Sequence, residues 1–152
     1  MPWKENTARP LNLDAFVRGF YAEDAWTGEE GLYTDRGFVS GTLQGWINFG
    51  GSQQEIAIAR FATTQGALSL LDELTSSFRD EPKPATALTD SAVGGFGWVT
   101  PKLDSEGDAR SEIAFQTGDT VIDVIEWVAA TPNVVAVKAL ALQQYQSLKS
   151  GT

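Results

Sequence analysis

An α+β fold, an antiparallel β-sheet packed with amphipathic helices, is predicted by three features of this 152-residue chain. Ile113 and Phe115 alternate with Glu112, Ala114 and Gln116, Gly118 and Asp119 supply a turn, and Thr120 to Val128 returns with both parities largely apolar. That pattern is a hairpin whose second strand is central and covered on both faces. A second pair of alternating runs flanks Gly50 and Gly51, and three separate stripes of apolar residues recur at spacings of three and four, the signature of helices lying on a sheet.

Taken in order, residues 1–12 read as a polar N-terminal tether and 13–150 as one α+β domain. Leu13, Phe16, Val17 and Phe20 predict a helix from about Leu13 to Ala22, with Asn12 able to cap its free amides. The acidic segment Glu23 to Arg36 carries Gly28 and Gly31 and reads as a loop with a short helical turn, closed by Gly37 as a left-handed cap, with Trp26 packing inward. A strand over Phe38 to Phe49 and its antiparallel return over Gln54 to Phe61 follow. Thr63 or Thr64 starts a helix carrying Ala67, Leu70, Leu71, Leu74 and Phe78 and ending near Asp80. Two prolines mark the next connection, in which Ala85 to Leu88 can form a short edge strand, before a glycine-rich strand near Gly97 to Pro101. After the hairpin, Thr131 followed by Pro132 predicts the start of a closing helix, striped by Val134, Val137, Ala141, Tyr145 and Leu148. Gly45-Trp46-Ile47 ahead of Glu55-Ile56-Ala57 echoes Gly97-Trp98-Val99 ahead of Glu112-Ile113-Ala114, a possible pseudo-repeat of two halves.

A net charge of -9 with no basic run argues against nucleic acid and against direct binding to an anionic membrane surface. With no histidine and no cysteine, the chain lacks the commonest general base, the nitrogen and sulfur metal ligands and all thiol chemistry. The opening residues lack the apolar run of a secretion signal, and no segment approaches the roughly 20 apolar residues that span a bilayer. The chain as given is therefore expected to be soluble.

Among acidic candidates, Asp104, Glu106 and Asp108 alternate as calcium ligands can, but Ala109 and Phe115 stand where the remaining residues of that loop would be glycine and glutamate. Glu23, Asp24, Glu29, Glu30 and Asp35 form an acidic cluster suited to solvation or to a basic partner. Glu112, Asp123 and Glu126 are the strand carboxylates that two-carboxylate catalysis could use. Asp123 shares a face with Ile125 and Trp127, and pairing with Arg60 or Arg110 is the expected way to offset its burial. No histidine triad or Ser-x-x-Lys motif exists, so we expect no catalytic residues, no enzyme activity, no metal and no cofactor. The candidate binding residues are aromatic: Trp46, Trp98 and Trp127 with Phe96 can line one concave surface, beside the backbone freedom of Gly95. Core packing is the competing role for each.

With its early amphipathic helix, Gly37-Phe38 strand entry, Trp46, Arg60-Phe61 ahead of Gly66-Ala67, and a last helix ending in Gln144-Tyr145 and Leu148, the chain resembles the soluble domains of actinobacterial exported lipoproteins of unassigned function. The resemblance implies an extracytoplasmic α+β module, anchored in its precursor through an upstream lipidated cysteine absent from this chain. The expected role is docking a protein or cell-envelope component, and the alternative is carrying a small apolar ligand in an aromatic-lined pocket. A carrier needs a cavity of about 300 Å³ or more, whereas a docking module needs an accessible patch with a polar rim.

Overall fold

The computed structural model describes residues 10–48, 50–80, 85–101, 107–129 and 131–150. Its elements are helix α1 (Leu13–Phe20), a 3-10 turn (Glu23–Ala25), α2 (Trp26–Asp35), strands β1 (Phe38–Ile47) and β2 (Gln53–Phe61), α3 (Thr64–Asp80), β3 (Thr86–Asp90), β4 (Gly95–Thr100), β5 (Ala109–Thr117), β6 (Thr120–Val128) and α4 (Val134–Ser150). All six strands join one antiparallel sheet in the order β1-β2-β6-β5-β4-β3. This is the α+β fold that the periodicity predicts, with β6 internal between β2 and β5.

The strand parities divide the core in two. On one face Ala57, Ala59, Phe61 and Val121 pack beneath Phe16 and Val17 of α1, Tyr33 of α2 and Ala67 and Leu70 of α3. On the other, Ile56, Ile113, Phe115, Ile122 and Val124 pack beneath Val137 and Ala141 of α4. Because β6 feeds both layers, its two parities are both apolar, which is why it reads as a continuous hydrophobic run.

Several local expectations are refined. Asn12 caps α1 as expected, its side-chain oxygen accepting the Ala15 amide at 2.9 Å. Gly37 takes the left-handed conformation with φ 75°, and the Thr63 hydroxyl accepts the Gly66 amide at the start of α3. The segment read as a loop over Glu23 to Arg36 is instead mostly helical, as α2. Its glycines disfavour a helix, but Tyr33 is buried against the rings of Phe16, Phe38 and Phe61, and Trp26 donates its indole N–H to the Tyr21 carbonyl at 3.0 Å. Burial of large aromatics outweighs propensity here. The last helix begins later than Thr131 and Pro132 suggest: Asn133 is the cap, its side-chain oxygen accepting the Ala136 amide. Leu11, inside the stretch read as a tether, exchanges two backbone hydrogen bonds with Gly41.

The internal echo does not carry into the register. Gly45 lies opposite Glu55, whereas Gly97 lies opposite Ile113 and Trp98 opposite Glu112. A one-residue offset reverses the face, so Trp46 and Trp98 point to opposite sides of the sheet.

Candidate functional site

Three rows of cross-strand neighbours build a polar patch on the sheet face shared with α1, α2 and α3. Glu55, Ile125, Glu112 and Trp98 form one row across β2, β6, β5 and β4. Gln53, Trp127, Arg110 and Thr100 form the row nearer the sheet end, and Ala57, Asp123, Ala114 and Phe96 the row nearer the helices. Residues directly opposite or diagonal in such rows are within side-chain reach. Glu112 and Asp123 thus meet beside Arg110, and Glu55 lies across Ile125 from Glu112, where most of the surroundings are apolar.

Their exposure is small: Glu55 is 7%, Glu112 3% and Asp123 4% accessible. Arg110 makes an ion pair with Glu112, and its guanidinium lies over the rings of both Trp98, at 4.6 Å, and Trp127, at 5.6 Å. Asp123 is hydrogen-bonded to Glu112, and burial, with the negative charge of Glu112 behind it, raises the Asp123 pKa well above the ordinary carboxylate range. The expected pairing of Asp123 with Arg60 or Arg110 is refined: Arg110 makes its ion pair with Glu112 and acts on Asp123 through its charge, which opposes the upward shift, while Arg60 pairs with Asp119 at 3.1 Å. Two carboxyls in such a bond share a proton, since neither carboxylate alone can donate.

Trp98 Nε1, Thr100 Oγ1 and Arg110 Nε on this face have no hydrogen-bond partner among the described residues. Buried polar atoms left unpaired are costly and uncommon. Beyond Asp123, a narrow cavity of about 10 Å³ lies among Phe16, Tyr33, Ala57, Leu70 and Val121, room for about one water molecule. The Tyr33 hydroxyl on its far wall contacts the Tyr21 hydroxyl at 3.0 Å, and burial pushes both phenol pKa values upward.

Of the residues singled out from sequence, Trp98, Trp127 and Phe96 meet on this face. Trp46 and Gly95 lie on the other, where Trp46 packs against the α4 cluster. A Cβ at Gly95 would meet Ile113 Cγ2 at 2.7 Å, so that glycine serves packing. Glu126 also lies on the α4 face, accepting a hydrogen bond from Gln54 at 2.8 Å, which separates it from Glu112 and Asp123. Glu55 was not a candidate, although it shares strand parity with Ala57 and Ala59 and could have been found that way. Asp104 and Glu106 lie outside the described residues. Among the described residues no group of three or more histidine, cysteine or acidic side chains is arranged to hold a metal ion, and no helix is long and apolar enough to cross a membrane.

No protein-family model and no curated protein matches the chain. Among solved structures, the extracellular domain of PknH from Mycobacterium tuberculosis is similar over 78% of this chain and 70% of its own, with a TM-score of 0.53 and 12% sequence identity. At that identity the likeness is one of fold: this α+β arrangement is also built by an actinobacterial extracellular domain.

Proposed function

We propose that the chain is a non-enzymatic extracytoplasmic binding module that docks a protein or cell-envelope component, carried in its precursor by an upstream lipid anchor. The observation behind this reading is the Trp98-Arg110-Trp127 stack beside Glu112, whose edge at Trp127 and Arg110 is half-buried and which holds several buried polar atoms without partners among the described residues. Polar groups left in that condition suit recognition of a partner that completes them. The fold shared with an extracellular domain supports the same setting.

Catalysis is the weaker reading even though Glu112 and Asp123 face one another. Two-carboxylate hydrolysis needs the pair held about 5 to 9.5 Å apart around a substrate, whereas these two are hydrogen-bonded to each other. A carrier is weaker at this face, since the cavity beside Asp123 is about 10 Å³, a small-molecule site takes about 300 Å³ or more, and Trp46 lies on the opposite side of the sheet from Phe96, Trp98 and Trp127. The test is retention of purified cell-envelope fractions from an actinobacterium on the immobilised domain, comparing the parent with Trp127→Ala and Arg110→Ala. Loss of retention in folded variants supports docking through this face. Equal retention by all three places docking elsewhere, and native mass spectrometry showing a co-purified lipid would favour the carrier.

A further inference from the structure

We propose that residues 5–9 of this chain pair with the outer edge of β1 as a seventh, antiparallel strand, with Arg9 opposite Leu43, Thr7 opposite Gly45 and Glu5 opposite Ile47. This pairing stands whether or not the docking reading does.

The bridge at Leu11 sets the register. Leu11 and Gly41 exchange both backbone hydrogen bonds, at 2.7 and 3.0 Å, in an antiparallel bridge. In an antiparallel ladder such pairs recur at every second residue, and the backbone groups between them face the strand on the other side. From Gly41 to Ile47 the pairing of β1 with β2 runs without a bulge. Gly41, Leu43, Gly45 and Ile47 therefore turn their N–H and C=O groups outward, while Thr42, Gln44 and Trp46 turn theirs to β2. The Asn48 amide keeps this phase, donating to the Ser52 carbonyl at 2.8 Å. A chain traced backward from Leu11 meets outward donors and acceptors at its residues 9, 7 and 5. Pro10 falls between, opposite Thr42, where its missing N–H would face solvent.

The composition of the edge points the same way. β1 is ten residues long and is the last described strand on its side of the sheet, and from Phe38 to Ile47 it carries no charge and no proline. Ile47, near its end, is 53% exposed. Long uncharged edges are templates for pairing with other chains, and proteins guard them with charges, proline or a covering segment. The opposite edge, β3, is protected by its length of only five residues. Lys4, Glu5, Arg9 and Pro10 are the guarding residue types that β1 lacks, so a strand built from this segment closes the sheet with a protected edge. Because the segment is joined to Leu11, which is already seated on β1, its effective concentration favours it over a free partner. Glu5 then stands at the end of the row formed by Ile47, Gln53 and Trp127, and the chain upstream leaves the domain beside the proposed docking face.

The chain has no cysteine of its own, so a pair of introduced thiols reads the register. Ala8→Cys with Gln44→Cys occupies a pair that is not hydrogen-bonded, where Cα atoms lie about 4.5 Å apart, within disulfide range. Ala8→Cys with Thr42→Cys is two residues out of register. In the full chain the first pair should oxidise to an intrachain disulfide in a monomer, and the second should stay reduced under the same conditions. Hydrogen exchange needs no substitution: removing residues 1–9 should speed exchange of the Gly45 and Ile47 amides about tenfold and leave Ile122 unchanged. Thermal melts establish that the truncated chain and both double variants are folded. A disulfide formed between chains assigns the edge to a second copy and overturns the proposal. Equal oxidation of the two pairs, no disulfide in either, or Gly45 and Ile47 exchange that truncation leaves unaltered overturns it as well.

Discussion

Replacing Gly97 by alanine tests the packing of β4 on β5, and with it the scaffold that holds Glu112. A Cβ at Gly97 would overlap the Glu112 carbonyl oxygen and stand 2.6 Å from its carbonyl carbon and 2.9 Å from Ile113 Cα. Ordinary contacts between carbon atoms lie near 3.5 to 4.0 Å, so about an ångström of movement is required. All three obstructing atoms belong to the β5 backbone. Relief therefore needs displacement of a strand that is laddered on both sides, by β4 and β6. Overpacking a well-filled interior costs about 1 to 3 kcal/mol, and obstruction by backbone puts this case near the top, at about 3 kcal/mol. For a chain of this size each kcal/mol shifts the melting temperature by about 2 to 4 °C, so Gly97→Ala should melt about 6 to 12 °C below the parent. The assay is thermal unfolding by calorimetry, with urea unfolding as a check on the transition. A melting temperature within about 2 °C of the parent would refute the close approach of β4 to β5.

Two further predictions concern stability. Asp123→Asn should stabilise the domain at neutral pH, because it replaces a buried carboxyl whose ionisation is opposed first by burial and then by Glu112. Its folded pKa lies above the unfolded value of about 3.9, so the native state holds more protons and stability falls as pH rises from about 4 through the folded pKa. The variant should lose that decline, and parallel stability-against-pH curves for parent and variant would count against the shared proton. Gly31→Ala should raise the melting temperature, since Gly31 lies in the interior of α2 with nothing within 4 Å of the added methyl. An interior helix glycine costs about 0.5 to 1 kcal/mol relative to alanine, worth about 1 to 4 °C here, and a lower melting temperature would show that α2 is not a regular helix at that position.

The elements whose side chains repeat with a period are the ones that sequence made legible. Alternation in β5 and two-sided hydrophobicity in β6 follow from the pleat and from burial on both faces, and the Asn12 cap of α1 is a local hydrogen bond within three residues. Both kinds of signal are contained in a short window of chain. Placement of Trp98, Trp127 and Phe96 near one another was likewise available, because all three lie on or beside strands of recognisable parity.

What only the tertiary structure decided are the features set by partners distant in sequence. α2 has little periodicity of its own and exists because Tyr33 is surrounded by Phe16, Phe38 and Phe61. The face on which Trp46 falls depends on register, and the offset between Gly45 opposite Glu55 and Trp98 opposite Glu112 sends the two tryptophans apart. The same register decides the chemistry of the patch. Glu55 joins Glu112 and Asp123 because β6 is inserted between β2 and β5, with Ile125 opposite both glutamates, while Glu126, one residue on, is turned to the other layer. Composition alone fixed the absence of histidine and cysteine chemistry and the excess of negative charge. Which carboxylates share a proton, and which guanidinium stands beside them, follows from the β5–β6 register, while Glu55, more than fifty positions away, comes to the same face only because β2 pairs with β6.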